Sequence, residues 1–184
     1  MESDKTLTQL DLYLFGNGTH YEIYEKMGAH PMTLEGRQGV YFSVWAPHAQ
    51  KVSVVGDFNQ WNPKSNEMKP LEDSGIFETF IPGLQAGALY KFAVTTPRGD
   101  IILKADPYGF YSELRPNTAS RVADLSRFSW SDSSWMEKRS TWDPLSSPLS
   151  VYEVHLGSWK RHAKELSAPH DTNFYHYRES AKAL

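Results

Sequence analysis

The chain has no cysteine. That excludes a disulfide scaffold and a thiolate metal site, and it fits a reducing compartment, so a cytoplasmic location is expected. Long hydrophobic runs are also missing. Met1–Lys5 is acidic and no apolar stretch follows it, so neither a signal peptide nor a membrane span is expected. Charge of one sign is missing too: 19 Lys and Arg stand against 22 Asp and Glu, for a net charge of −3. A chain without a basic footprint is not expected to bind nucleic acid. The seven histidines show no metal-ligand spacing, since His170 and His176 fall on different loop or helix positions with no third partner. No metal and no cofactor are expected. No internal repeat or low-complexity run is present.

What the sequence does have is aromatic residues, 14% of the chain, with six tryptophans among 184 residues. Hydrophobic residues at 40% and charged residues at 22% are ordinary for a globular protein. The excess of large rings asks for more than a small core.

Four regions separate along the chain. Residues 1–35 read as a helical lead-in. Leu7, Leu10, Leu12, Leu14 and Phe15 form a first apolar stripe ended by Gly16-Asn17-Gly18, and a second short helix is expected from Tyr21 to Met27, stopped by Gly28. Neither is long enough to stand alone. Residues 36–125 read as β structure. Val40–Trp45, Val52–Val55, Ile76–Ile81, Leu89–Val94 and Ile101–Leu103 are short alternating or apolar runs, with glycines between them where tight turns need them. This spacing predicts an antiparallel sandwich of immunoglobulin type. Residues 126–149, rich in Ser, Trp and Pro, read as an ordered linker.

Residues 150–184 read as the threshold of another domain. Val151, Glu153 and His155 alternate with Tyr152, Val154 and Leu156, which predicts a strand. A polar loop and a helix opening at Phe174 follow. One such β/α step cannot bury both its faces alone.

Gly56-Asp-Phe-Asn-Gln-Trp61 ends a predicted strand and sets Trp61 in a polar loop beside Asn59 and Gln60. A sugar ring has apolar C–H faces and hydroxyl edges, so carbohydrate sites pair an aromatic platform with amide or charged groups. The competing reading is that Phe58 and Trp61 plug the sandwich edge, as large aromatics usually do. Glu153 and His155 share a face of the last strand, and a mutually satisfied buried pair is expected there rather than chemistry. Phe174, Tyr175 and Tyr177 read as core.

Gly56–Trp61, followed by Leu89-Tyr-Lys-Phe92 and Asp106-Pro107, resembles the starch-binding immunoglobulin-like module called carbohydrate-binding module family forty-eight, or the isoamylase N-terminal domain. The resemblance implies that Trp61 and Lys91 contact α-glucan, with Asn59 beside them. It also shows a departure. Stand-alone glycogen-binding members carry a second platform Trp just after the turn corresponding to Arg98-Gly99-Asp100, where this chain has Ile101 and Ile102. Free glucan binding by this face is therefore expected to be weak or absent.

Further segments resemble bacterial glycogen branching enzymes. They are Asp11–Phe15, Gly18–His20, Gly28–Pro31, Lys104–Tyr108, Arg115–Ser120 and above all Tyr152-Glu-Val-His-Leu-Gly-Ser-Trp159. This implies the truncated start of a (β/α)8 barrel from about Ser150, a fold that takes roughly 200 residues or more. In that family two carboxylates perform a double displacement, and a glucan 6-hydroxyl replaces water as acceptor to form an α-1,6 branch. They sit on later barrel strands, so no catalytic residue is assigned here. The expected partners are α-1,4-glucan and the remaining barrel of the same parent. The alternative is a stand-alone glucan-binding adaptor without catalysis.

Overall fold

A computed structural model describes residues 6–162 and 174–183. They divide into two units, one up to Ser129 and one from Trp130 onward.

The first unit is an antiparallel β-sandwich. One sheet has the order β1-β2-β5-β4, built from Gly28–Leu34, Arg37–Trp45, Ile76–Pro82 and Lys69–Pro70. The other has the order β3-β6-β7, from Lys51–Gly56, Leu89–Thr95 and Ile101–Lys104, with β8 (Ser120–Arg121) also pairing β6. The alternation read from the sequence decides what lies inside. Val40, Phe42 and Val44 of β2 meet Val52 and Val54 of β3 and Tyr90 and Phe92 of β6 in one core, which Met68, Phe77, Ile81 and Val122 complete. Phe42 and Tyr90 cross between the sheets as a T-shaped pair 5.0 Å apart, a geometry that sets a ring edge against a ring face.

The Tyr90 hydroxyl reaches past that contact and donates to the buried Asp106 carboxylate at 2.5 Å. Burial raises the Asp106 pKa, against the hydrogen bonds from Tyr90 and the Tyr108 amide. Gly28 opens β1 against this carboxylate at φ +99°. A Cβ there would lie 3.1 Å from Asp106 Oδ2 and 3.1 Å from Tyr108 Cβ, so glycine is required both for conformation and for space.

The lead-in covers the outer face of the first sheet. Helix α1 (Gln9–Gly16) is started by a capping box, with Thr8 and Asp11 satisfying each other's amides. Ile23, Met27 and Ile76 form a second cluster, and Leu7, Leu12, Phe15, Leu71 and Tyr108 pack against it. The residues of β2 that point away from the main core are thereby occupied. Ser43 Oγ donates to the Lys26 carbonyl at 2.9 Å, and Trp45 meets Phe15 edge-on at 6.1 Å. Asp11 ties the lead-in together by accepting from Thr8 Oγ1 at 2.6 Å and Lys26 Nζ at 2.6 Å, with His20 Nε2 2.8 Å away.

Two expectations for the lead-in change. The helix expected over Tyr21–Met27 is reduced to a single 3₁₀ turn at Ile23–Glu25, because Gly28 turns the chain into a strand. Strand β1 lies inside the stretch expected to be helical. It contains Pro31, which has no N–H to give a ladder and is tolerated because β1 is the edge of its sheet.

In the second unit the stretch read as linker carries helix α2 (Ser133–Thr141). The strand expected over Val151–Leu156 is not formed. Residues 151–155 are irregular, and Leu156–Trp159 make the short helix α3. A strand exists only by pairing, and among the described residues nothing pairs with 151–155. The motif folds on itself instead, with Trp159 Nε1 donating to the Tyr152 hydroxyl at 2.9 Å. Helix α4 (Tyr177–Ala183) follows an isolated bridge between Arg161 and Phe174. His170 and the polar loop before Phe174 lie outside the described residues. Among the described residues of this unit no barrel strand is formed.

Candidate functional site

The loop that carries Trp61 is built by its own side chains. Strand β3 ends at Gly56, where a Cβ would sit 2.1 Å from the Leu89 carbonyl oxygen, so only glycine lets β3 and β6 approach there. A 3₁₀ turn over Asp57–Asn59 follows, and Gln60 and Trp61 take left-handed φ of 56° and 57°. That conformation costs a non-glycine residue roughly 1–2 kcal/mol, and the loop offsets it with hydrogen bonds. Trp61 N donates to the Gly56 carbonyl at 2.9 Å and returns the chain to the end of β3.

Asn59 supplies most of the rest. Its Oδ1 accepts from Gly56 N at 3.0 Å, and its Nδ2 donates to the Val54 carbonyl at 2.9 Å and to Asn66 Oδ1 at 2.8 Å. Both amide hydrogens are used, leaving at most one lone pair for a ligand. The geometry thus gives Asn59 a positioning role. The ring of Trp61 is fixed by a group that sequence reasoning missed: its Nε1–H donates to Asp57 Oδ1 at 2.7 Å. The spacing of four between the two residues inside the loop motif was the available signal.

Lys91 belongs to β6. Tyr90 and Phe92 are in the core, so alternation puts Lys91 on the outer face of the second sheet, across from Val55. Its Nζ donates to Thr118 Oγ1 at 2.8 Å, a partner 27 residues away that no motif singles out. Trp61 and Lys91 therefore both issue from the Gly56–Tyr90 end of the β3/β6 ladder. Further along the same face the pairs Ala93–Leu103 and Thr95–Ile101 bring in β7. That strand presents exposed aliphatic side chains, Ile101 and Leu103, and no aromatic ring.

Glu153 and His155 do not form the buried pair expected of them. Both are exposed, and His155 Nδ1 lies 3.0 Å from Ser158 Oγ instead. The reason is the missing strand, without which the two side chains share no face. Phe174 and Tyr177 are exposed rather than core. Among the described residues no group of His, Asp and Glu could hold a metal, and no helix is long and apolar enough to cross a membrane.

Comparison with known proteins bears on this geometry. Residues 26–109 match the family described as carbohydrate-binding module 48 (isoamylase N-terminal domain). The chain is 51% identical to the 1,4-alpha-glucan branching enzyme GlgB of Synechococcus sp. (strain JA-3-3Ab), over 100% of this chain and 25% of that protein. It is 55% identical to the enzyme of the same name from Thermosynechococcus vestitus, over 83% of this chain and 20% of that one. The chain thus spans about a quarter of the length of the curated relatives it matches. Among solved structures, a putative alpha amylase from Salmonella typhimurium aligns at 25% identity and TM-score 0.45, over 59% of this chain and 16% of that one.

Proposed function

We propose that the chain binds and positions α-glucan for a 1,4-alpha-glucan branching enzyme, because residues 26–109 match carbohydrate-binding module 48 and the likeness to such enzymes runs through the whole chain. The single observation that carries this reading is the extent of the likeness. The module matches over residues 26–109, whereas identity to the branching enzyme continues through the whole second unit. A free-standing glucan adaptor has no use for that unit.

In this proposal Trp61 offers a ring face to the C–H face of a glucosyl unit, and Lys91 and Thr118 supply hydrogen bonds to its hydroxyls. Asp57 and Asn59 hold the platform. The exposed aliphatic face of β7 replaces half of the platform expected of a high-affinity binder, so the face guides chains weakly. The chemistry belongs to the parent enzyme: a carboxylate attacks the anomeric carbon, a second protonates the leaving oxygen, and a glucan 6-hydroxyl takes the chain. No residue of this chain is assigned to those steps. The second unit leads into the catalytic barrel of the same parent, which is its proposed partner, and the whole works in the cytoplasm.

Two measurements on the chain test this. Titration with maltoheptaose should give saturable binding that Trp61→Ala weakens. Incubation with amylose, followed by debranching and chain-length analysis, should give no new branches. Absence of binding would sink the glucan reading, and new branches would sink the non-catalytic one.

A further inference from the structure

The Trp61 face uses one side of the sandwich and leaves another unaccounted for. On the flank where β1 forms the free edge of its sheet, three concavities of about 400, 340 and 330 Å³ adjoin, and Asp124 lines all three. We propose that this flank is a second, extended sugar-binding groove that takes several units of a linear α-glucan, centred on Asp124.

Its chemistry fits a neutral polyol. Three rings line it and are substantially exposed: Tyr24 at 46%, Phe110 at 41% and Tyr111 at 56%. Exposed rings held in a concave site are costly in water, and they offer flat apolar faces of the kind a pyranose C–H surface covers. Phe110 is held edge-on to His30 at 5.9 Å, and the His30 ring is fixed by the Met27 carbonyl at 2.9 Å, so the platform is preformed.

Two planar polar groups line it that can bridge neighbouring hydroxyls, the Gln85 amide and the Arg121 guanidinium, while Asp124 Oδ1 accepts from Ser126 N at 3.0 Å and Ser126 Oγ at 2.6 Å and so shapes the wall between the concavities. The Arg121 guanidinium lies over the Tyr111 ring, 5.4 Å from its centre. Its Nε is buried and has no hydrogen-bond acceptor among the described residues. Arg121 and Lys26 are balanced by Asp124 and Glu25, so the groove has no excess charge to draw a polyanion. Three adjoining concavities, rather than one closed pocket, suit a chain ligand over a single small molecule. The identity of the sugar rests on the glucan reading proposed above; the groove itself does not.

The test is a chemical-shift map of the isotope-labelled full chain titrated with maltoheptaose, repeated on Trp61→Ala and on a Tyr24→Ala/Tyr111→Ala double variant. The expected result is two separate sets of shifting amides, one near residues 57–61 and 91, the other near 24, 110–111 and 121–124. Trp61→Ala should abolish only the first set. The double variant should weaken the second by about tenfold or more while sparing the first. Both changed tyrosines are exposed or half-exposed, and an unchanged amide spectrum elsewhere verifies the fold. Shifts confined to 57–61 and 91 would overturn the groove and leave the Trp61 reading standing. Shifts confined to the groove would overturn the Trp61 reading alone, and no shifts at millimolar ligand would overturn both.

Discussion

The indole of Trp61 donates its only hydrogen bond to Asp57, four residues back, at 2.7 Å. The ring and the group that holds it therefore lie in one short loop, which starts where β3 and β6 meet at Gly56 and Tyr90. An aromatic fixed before the ligand arrives loses less freedom on binding than one that must be ordered.

Asp57→Ala should consequently weaken maltoheptaose binding at this face by about three- to tenfold, the cost of ordering one freed side chain. The melting temperature should barely move, because the hydrogen bond is exposed. Calorimetric titration checks it. An affinity equal to that of the unchanged chain would mean that Asp57 does not orient the ring.

Asn59 behaves differently. Removing its amide strips three hydrogen bonds from the Gly56, Val54 and Asn66 groups around it. Asn59→Ala should cost about 1–3 kcal/mol of stability, read as a lower urea midpoint at unchanged slope. If sugar binding instead fell while the midpoint stayed put, Asn59 would be a ligand contact and not a support.

The acid response should centre on Asp11. Burial alone would raise its pKa, but hydrogen bonds from Lys26, Thr8 and His20 outweigh that and hold the carboxyl well below the usual carboxylate range. The folded state then binds this proton less readily than the unfolded chain does. The resulting stability is fully present above the ordinary Asp pKa near 4 and is lost as pH falls below it, through the depressed folded value. Asp11→Asn should destabilise the chain by about 1–3 kcal/mol at pH 7. The gap between variant and parent should narrow below pH 4. Parallel unfolding curves at pH 7 and pH 3 decide it, and a constant gap would remove Asp11 as the source.

Much of the sandwich was legible. Val40–Trp45, Val52–Val55 and Leu89–Val94 alternate, and the inward members Phe42, Val54, Tyr90 and Phe92 are those that meet in the core. Strand β1 was hidden because Pro31 argues against a strand unless the strand is known to be an edge, and edge position is a property of the sheet. Val151–Leu156 shows the converse. It alternates as cleanly as β2, yet alternation supplies only the faces of a strand, while its hydrogen bonds come from a neighbour. In the loop at 56–61 the sequence pointed to Trp61 but could not tell a ring-aiming carboxylate or a turn-building amide from sugar contacts, since all three are polar residues beside an aromatic.

By itself, then, the sequence determined which side chains β2, β3 and β6 send inward and that a polar loop carrying Trp61 follows β3, because both depend on the order of neighbouring residues. Which outward side chains are covered was decided only by tertiary packing. The lead-in lies over the outer side of the first sheet, through Ser43 on Lys26 and Trp45 on Phe15. On the second sheet the outward Ser53, Val55 and Ala93 are buried as well, and exposure is found at its margin, on Ile101 and Leu103 of β7. A period of two gives every strand two faces, and only the path of the rest of the chain determines which of them is covered.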